Sequence, residues 1–184
     1  MKKYVACVSG LALAGVLAAV GLLAGCSSGT SSSSGSASNS GPAVDGSKYV
    51  LAAEPEGAAE VIAVRESAKD GDDVVLVGRI GGKAPWTEGA AAFFVVDNSL
   101  KACSDRPGDE CKTPWDYCCE RSEDLAAATA LVKVVDENGA LVKVDTRKLL
   151  PVQELSTVVV KGKAKRDDAG NLTVLADGVY IKNE

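Results

Sequence analysis

The second half of the chain is dominated by short runs in which apolar, often β-branched residues alternate with polar ones. This pattern predicts half-buried strands over residues 73–82, 91–97, 127–136, 140–145, 157–166 and 172–181. Gly78 interrupts the first run, which predicts a bend or a bulge there. Asn138 and Gly139 form an Asn-Gly pair that predicts a tight hairpin turn. The segment 147–156, with Pro151 inside it, predicts a short connector with helical character.

One segment before the strands has helical spacing instead. Residues 55–69 place Ala59, Ile62 and either Ala63 or Glu66 three to four positions apart. Pro55 suits a first helical turn, and the Asp-Gly-Asp sequence at 70–72 ends the run. We expect a helix that packs on the sheet and has no functional role of its own.

Together these elements predict a mainly β domain over residues 47–184, with a long insertion at 98–126. Three stretches resemble an OB-fold: the glycine-interrupted VVLVGRI at 74–80, FFVVD at 93–97, and the late hairpin at 158–181. The resemblance implies an OB-fold-like small β-barrel of five or six strands, with an N-terminal helix and a long cysteine-rich loop. An immunoglobulin-like sandwich is the alternative.

The N-terminus has the pattern of an export signal. Lys2 and Lys3 precede an apolar run over residues 4–22, which ends in Leu23-Ala24-Gly25-Cys26. These four residues resemble the lipobox of bacterial lipoproteins, which implies that residues 1–25 are removed and that Cys26 carries a lipid. A transmembrane helix is the alternative, but three glycines interrupt the apolar run.

Residues 26–46 comprise Cys26 and a Ser/Gly-rich, almost uncharged stretch that predicts a flexible linker. By analogy with the sorting of Gram-negative lipoproteins, Ser27 and Ser28 after the lipidated cysteine favour the outer membrane, facing the periplasm. We therefore expect the chain to meet the membrane only through its lipid anchor.

Charge argues against a nucleic-acid partner. Removing Lys2 and Lys3 with the signal changes the formal net charge from −5 to about −7, whereas nucleic-acid binders show a basic face. The only basic cluster combines Lys161, Lys163 and Lys165 with the neighbouring arginine at 166, and period-two spacing predicts that the three lysines lie on the solvated face of a strand.

The insertion concentrates the reactive side chains. Its cysteines are spaced Cys103-x7-Cys111-x6-Cys118-Cys119. In an oxidising compartment an even number of cysteines predicts disulfides, and we favour pairings that send Cys118 and Cys119 to different partners. A zinc or copper site formed by the same four thiols is the alternative, and thiol redox chemistry is less favoured because C-x-x-C is absent.

Aromatic residues in and near the insertion are candidates for a binding rim. Trp115, Asp116 and Tyr117 form one candidate patch, and Trp86 would lie near them if both loops share one end of the barrel. The alternative is that Trp115 packs inward as a plug.

The string CKTPWDYCC, together with FFVVDNSLKAC and the late hairpin, resembles a group of exported planctomycete-type proteins. This resemblance implies no particular activity.

No catalytic constellation is present in the sequence. The chain contains no histidine, and no serine lies in a nucleophile motif. We expect a non-enzymatic binding protein without a cofactor, whose partner is a protein, an envelope polymer or a small ligand. A thiolate metal-binding protein is the alternative.

Overall fold

The computed structural model describes residues 44–182. The predicted signal and most of the predicted linker lie outside these residues. Within them, no helix is long and apolar enough to cross a membrane.

The described part contains six strands and three short helices. The strands are β1 (Ala59–Glu60), β2 (Asp73–Ile80), β3 (Ala92–Val96), β4 (Thr129–Val134), β5 (Thr157–Arg166) and β6 (Leu172–Ile181). The helices are α1 (Val61–Ser67), α2 (Ser122–Ala127) and α3 (Thr146–Leu149), and single 3₁₀ turns lie at Gly46–Tyr49 and Cys103–Asp105.

The five longer strands close into a ring. β2 pairs with β3, β3 with β4, and β5 with β6, all antiparallel, while β4 pairs in parallel with β6. An antiparallel pairing of β2 with β5 completes the circle, and the short β1 adds in parallel to β2. This small, mainly β barrel is OB-fold-like, as the sequence predicts. A single closed sheet excludes the two-sheet immunoglobulin-like sandwich.

One hydrophobic core fills the barrel, because alternate strand residues point inward. Buried and partly exposed residues alternate along all of β4. Leu76, Ile80 and Phe93 are among the largest fully buried side chains, and Tyr49 of the first 3₁₀ turn joins the same core. The N-terminal turn therefore packs as part of the domain.

The strand β2 passes from one neighbour to another. It pairs with β5 from Asp73 to Arg79 and with β3 at Arg79 and Ile80. Gly78 lies at this changeover, where an added Cβ would be 2.8 Å from the carbonyl oxygen of Val96. The predicted interruption at Gly78 thus corresponds to a close approach of two backbones, which only glycine permits.

The predicted helix over residues 55–69 is too long. The helix α1 spans only Val61–Ser67, and Ala59 and Glu60 pair instead with Leu76 and Val77 as β1. Gly57 has a φ of +78°, which interrupts a right-handed helix. Because alanine is small and only weakly apolar, the positions of Ala59 and its neighbours do not distinguish helical spacing from the alternation of a strand. The prediction therefore extended the helix over residues that form β1.

Two further predictions differ from the structure. The strand expected over 140–145 is reduced to a single bridge between Val135 and Leu141, because the chain turns into α3. The carboxylate of Asp145 caps this helix by accepting the N–H of Arg147 at 3.0 Å. The helix α2 lies in the insertion, where no element was predicted, and β4 begins at Thr129 rather than at 127.

The buried Asp97 joins the end of β3 to the start of α1. One carboxylate oxygen accepts the N–H of Ile62 at 2.8 Å, and the other accepts the N–H and hydroxyl of Ser99 at 3.0 and 2.6 Å. The side chain is only 2% exposed, so these three hydrogen bonds replace the bonds to water that it loses on burial. Asp97 therefore has a structural role.

Candidate functional site

The insertion between β3 and β4, here called the cysteine loop (residues 97–128), packs on the barrel through a small apolar cluster of its own. Tyr117 is 1% exposed and forms the centre of this cluster. The other members are Val96 and Ala102, both fully buried, with Leu100, Leu125 and Leu155 packed around them. Since Val96 and Leu155 lie outside the tip of the loop, this cluster fixes the loop to the barrel.

A glycine corner after β2 receives the aromatic part of the loop. The N–H of Gly82 donates to the carbonyl oxygen of Trp115 at 2.9 Å. A Cβ added at Gly81 would lie 2.7 Å from Cε2 of Tyr117 and 2.9 Å from the same carbonyl oxygen. The absence of a side chain at Gly81 therefore lets the loop approach closely.

Two tight turns shape the backbone between the cysteines. In the sequence Arg106-Pro107-Gly108-Asp109, the N–H of Asp109 donates to the carbonyl of Arg106 at 3.2 Å, and Gly108 has a φ of +78°. Proline followed by glycine suits a turn that needs a positive φ at its third residue. A second turn brings the N–H of Asp116 to the carbonyl of Thr113 at 2.9 Å. These turns fold the chain back so that distant cysteines meet.

Ion pairs hold both ends of the loop. Arg79 of β2 contacts Asp105 at 2.6 Å, and Asp105 also accepts the N–H of Ala102 at 3.0 Å. Arg106 contacts Glu120 at 2.6 Å. Although burial alone would raise the pKa of Asp105, the hydrogen bond and charge of Arg79 hold it below its ordinary value.

The four cysteines of the loop come together with their thiols unbonded. The sulfur atoms of Cys103, Cys111 and Cys118 all lie within 4.8 Å of one another, and Cys103 and Cys118 are 3.4 Å apart. The sulfurs of Cys103 and Cys119 and a carboxylate oxygen of Asp109 form a second group with the same limit. Cys103 belongs to both groups, so the structure gathers all four thiols around one buried cysteine. The predicted disulfides stay a prediction.

The three clustered thiols differ in acidity. Burial raises the pKa of Cys103, whereas hydrogen bonds with the side chain and backbone of Thr113 lower the pKa of Cys111. The hydrogen bond of Cys118 to Cys103 raises the pKa of Cys118 to about 12. Cys111 is therefore the first of the three to become a thiolate.

The candidate rim residues do not form one exposed patch. Tyr117 is buried, and Asp116 is 9% exposed and accepts the N–H of Tyr117 at 2.7 Å, so these two side chains lie below the surface. Trp115 is partly exposed. Trp86 packs against Phe93, and its indole N–H donates to Glu154 at 2.7 Å. The tyrosine, rather than Trp115, is the residue that plugs the loop onto the barrel.

A groove crosses the outer face of the barrel beside the loop, which we call the β3–β4 groove. Its floor contains Phe94 of β3 and its cross-strand partner Leu131 of β4. Two cavities of about 340 and 290 Å³ adjoin at Phe94 and Thr129. They are lined further by Arg65, Ala126, Asp167, Asn171, Leu172 and Thr173 on one side, and by Gly81, Gly82, Lys83, Ala84 and Leu125 on the other.

The pattern of apolar and polar residues does not predict this groove. Phe94 is 37% exposed, but it lies in the continuous apolar run AAFFVVD, where no polar neighbour marks the outward position. Knowing that Phe93 points inward would have assigned Phe94 to the outer face, because side chains alternate along a strand.

Two of the three lysines in the basic cluster on β5 form ion pairs, and the arginine beside them is hydrogen-bonded to the backbone. Lys163 contacts Asp73 at 2.7 Å, and Lys165 contacts Asp70 at 2.9 Å. The guanidinium of Arg166 donates to the carbonyls of Arg65 and Ala68 near the end of α1. All three lysines of the cluster are exposed, as predicted for the solvated face of a strand.

Comparison with known protein families finds no match, and comparison with curated proteins finds none either. Similar solved structures include "OBody AM1L10 bound to hen egg-white lysozyme", which is 14% identical. The alignment covers 73% of this chain and 99% of that chain, with a TM-score of 0.40. Similarity at this level says nothing about what the present chain binds.

Proposed function

We propose that this protein is a lipid-anchored lipoprotein of the bacterial envelope whose barrel binds an uncharged polymer of that envelope in the β3–β4 groove. Cys26 carries the lipid, and the linker over residues 26–46 holds the domain off the bilayer. The anchor places the protein at the outer membrane, facing the periplasm. Its action is binding rather than catalysis.

The observation that carries this proposal is the exposed ring of Phe94 on the floor of an open groove. Large apolar side chains on the surface of a soluble domain often mark an interaction site when they line a concave surface. The groove runs from the Gly81–Ala84 corner to the turn at Asp167–Asn171, so an extended ligand can lie along it.

The lining favours a polymer that has both apolar and hydroxyl-bearing faces. Phe94 and Leu131 offer a flat apolar floor, while Thr129 and Asn171 add hydroxyl and amide groups at its edge. Sugar rings combine these two chemistries. The negative net charge of the chain disfavours polyanions, and the pairing of Lys163 and Lys165 with aspartates weakens the basic cluster on β5 as a track for nucleic acid.

Co-sedimentation of the protein with an insoluble, uncharged glycan such as chitin tests this proposal. We expect wild-type protein to sediment with the glycan and Phe94→Ala to bind at least about tenfold more weakly, which corresponds to roughly 1.4 kcal/mol. Val44→Ala is the matched control, because Val44 is the other exposed large hydrophobic residue among residues 44–182 and lies outside the groove. Equal sedimentation of the wild type and Phe94→Ala, or none by the wild type, would contradict the proposal.

A further inference from the structure

The thiols of the cysteine loop converge in a way that two disulfides do not require. A disulfide brings sulfur atoms together in separate pairs about 2.05 Å apart. Here three sulfurs share one volume, with Cys103 and Cys118 at 3.4 Å and Cys111 within 4.8 Å of both. Cys103 is also close to Cys119, so one buried sulfur faces three partners, of which a disulfide can use only one.

We propose that Cys103, Cys111, Cys118 and Cys119 bind one thiophilic metal cation, Zn²⁺ or Cu⁺, as a site separate from the β3–β4 groove. Zinc–sulfur bonds of about 2.3 Å in a tetrahedron place the sulfurs about 3.8 Å apart. For Cys103, Cys111 and Cys118 the 3.4 Å contact and the 4.8 Å limit bracket this separation. Cys119 shares that limit with Cys103 but not with all three sulfurs, so its side chain must rotate to complete the site. With sulfur ligands and no histidine in the chain, the donor set is soft throughout.

Backbone hydrogen bonds within the loop position these ligands, with no S–S bond needed between them. The N–H of Cys103 donates to the carbonyl of Asp116 at 2.8 Å, and the N–H of Ser104 donates to that of Pro114 at 2.9 Å. These bonds lock the first cysteine against the segment that leads to Cys118. Because Tyr117 is buried beside them, the ligands stand on a rigid support, as a selective metal site needs.

Asp109 has the position of a group that orients ligands. One of its carboxylate oxygens accepts the N–H of Cys111 at 2.6 Å, and the other accepts the thiol of Cys119 at 3.9 Å. The bond from the N–H of Cys111 persists when the metal binds and orients this ligand, as groups around a metal site commonly do. The contact with the thiol of Cys119 is lost when Cys119 ionises as the fourth ligand, so Asp109 is a positioning residue for Cys111 alone.

Binding replaces protons and transfers no electrons. Four thiols that bind Zn²⁺ release four protons and give a tetrathiolate centre of charge −2, and Cu⁺ gives −3. Arg79 and Arg106 bring positive charge into the same loop through their pairs with Asp105 and Glu120. Because protons are displaced, affinity rises with pH. Cys118 and Cys119 are exposed, so the ion can enter from solvent.

The test uses the full protein, extracted in detergent under anaerobic, reducing conditions and then freed of reductant. One portion receives ZnCl₂, and another receives Cu⁺ as its bicinchoninate complex. We expect one equivalent of one of these ions per chain, retained through gel filtration, and four thiols that resist alkylation until the metal is removed. Cobalt substitution should give thiolate-to-metal charge-transfer bands.

Variants separate ligands from their surroundings. Cys111→Ser, Cys118→Ser and Cys119→Ser should each weaken binding at least about 100-fold, and Asp109→Ala, which removes the acceptor of the Cys111 N–H, should weaken it about 10-fold while keeping the sulfur charge-transfer bands. Ser104→Ala, exposed in the same loop, is the control and should bind as wild type. A wild-type chain that binds neither ion, a mass four hydrogens lower from two disulfides in a portion extracted without reductant, or serine variants with unchanged affinity would each overturn the proposal.

Discussion

Replacing Gly81 by alanine should loosen the cysteine loop from the barrel. The added methyl carbon would lie 2.7 Å from Cε2 of Tyr117 and 2.9 Å from the carbonyl oxygen of Trp115. Ordinary carbon contacts are about 3.5 to 4.0 Å, so the neighbours must withdraw by about 1 Å. The ring cannot withdraw easily because it is 1% exposed, and the carbonyl accepts the N–H of Gly82 at 2.9 Å.

Overpacking of this kind costs about 1 to 3 kcal/mol. We expect the urea midpoint of Gly81→Ala to fall accordingly, with an unchanged m-value if only stability changes. A local readout is alkylation of metal-free protein followed by mass spectrometry, because Cys103 is 1% exposed and reacts only when the loop lifts. Its alkylation should become faster in the variant.

The control for this experiment is Lys83→Ala, an exposed change in the same corner. A double-mutant cycle with Tyr117→Leu isolates the contact, since removing the ring should recover part of the loss at Gly81. If Gly81→Ala unfolds at the wild-type midpoint and Cys103 reacts at the wild-type rate, the close packing described above does not hold the loop.

Three further predictions concern buried or paired groups. Asp97→Ala should lower the free energy of unfolding by about 2 to 4 kcal/mol because it removes three hydrogen bonds at the start of α1, and urea unfolding measures this. Tyr117→Phe should leave stability unchanged or raise it by up to about 1 kcal/mol in the same assay, because the buried hydroxyl has no hydrogen-bond partner; a loss above about 1 kcal/mol would show that it has one. The hydrogen bond from the Arg166 N–H, with help from Lys165, lowers the pKa of Asp70, so the stability that this carboxylate adds is present above its unfolded pKa of about 3.9 and is lost as the pH falls through its folded value. Asp70→Asn should therefore flatten the acid limb of a plot of melting temperature against pH, and an acid limb unchanged by this variant would contradict the assignment.

The strands were predictable to the extent that their residues alternate. β5 and β6 begin and end where the pattern places them, because each is a ten-residue run with clear polar positions and the two are separated by a turn at Gly170. The strand predicted over 140–145 did not form because a strand needs a neighbouring strand to pair with. Only Leu141 is paired, in a single bridge with Val135. The length of α1 was overestimated because alanine is weakly apolar and does not distinguish the 3.6-residue period of a helix from the two-residue period of a strand.

The candidate site was predictable in composition but not in shape. Cysteine spacing identified the loop, yet the meeting of Cys103 with Cys118 depends on turns at Pro107-Gly108 and Pro114 that periodicity does not describe. The sequence also assigned Tyr117 to a rim, because an aromatic residue between polar ones in a loop suits a surface. Its burial depends on the empty corner at Gly81, a contact between segments 36 residues apart in numbering.

The anchoring of the loop bears on how its thiols should be understood. If disulfides held the loop in place, removing them would release it, and Cys103→Ser would destabilise the domain more than Gly81→Ala. In the structure, however, a buried tyrosine, the Arg79–Asp105 pair and backbone hydrogen bonds already hold the loop. These contacts would hold the loop without disulfides, which agrees with the proposed metal site. Comparing urea midpoints of Cys103→Ser and Gly81→Ala in metal-free protein prepared without reductant decides the matter: a smaller loss for the serine variant agrees with ligand thiols on an independent support, and a larger one agrees with a covalent staple.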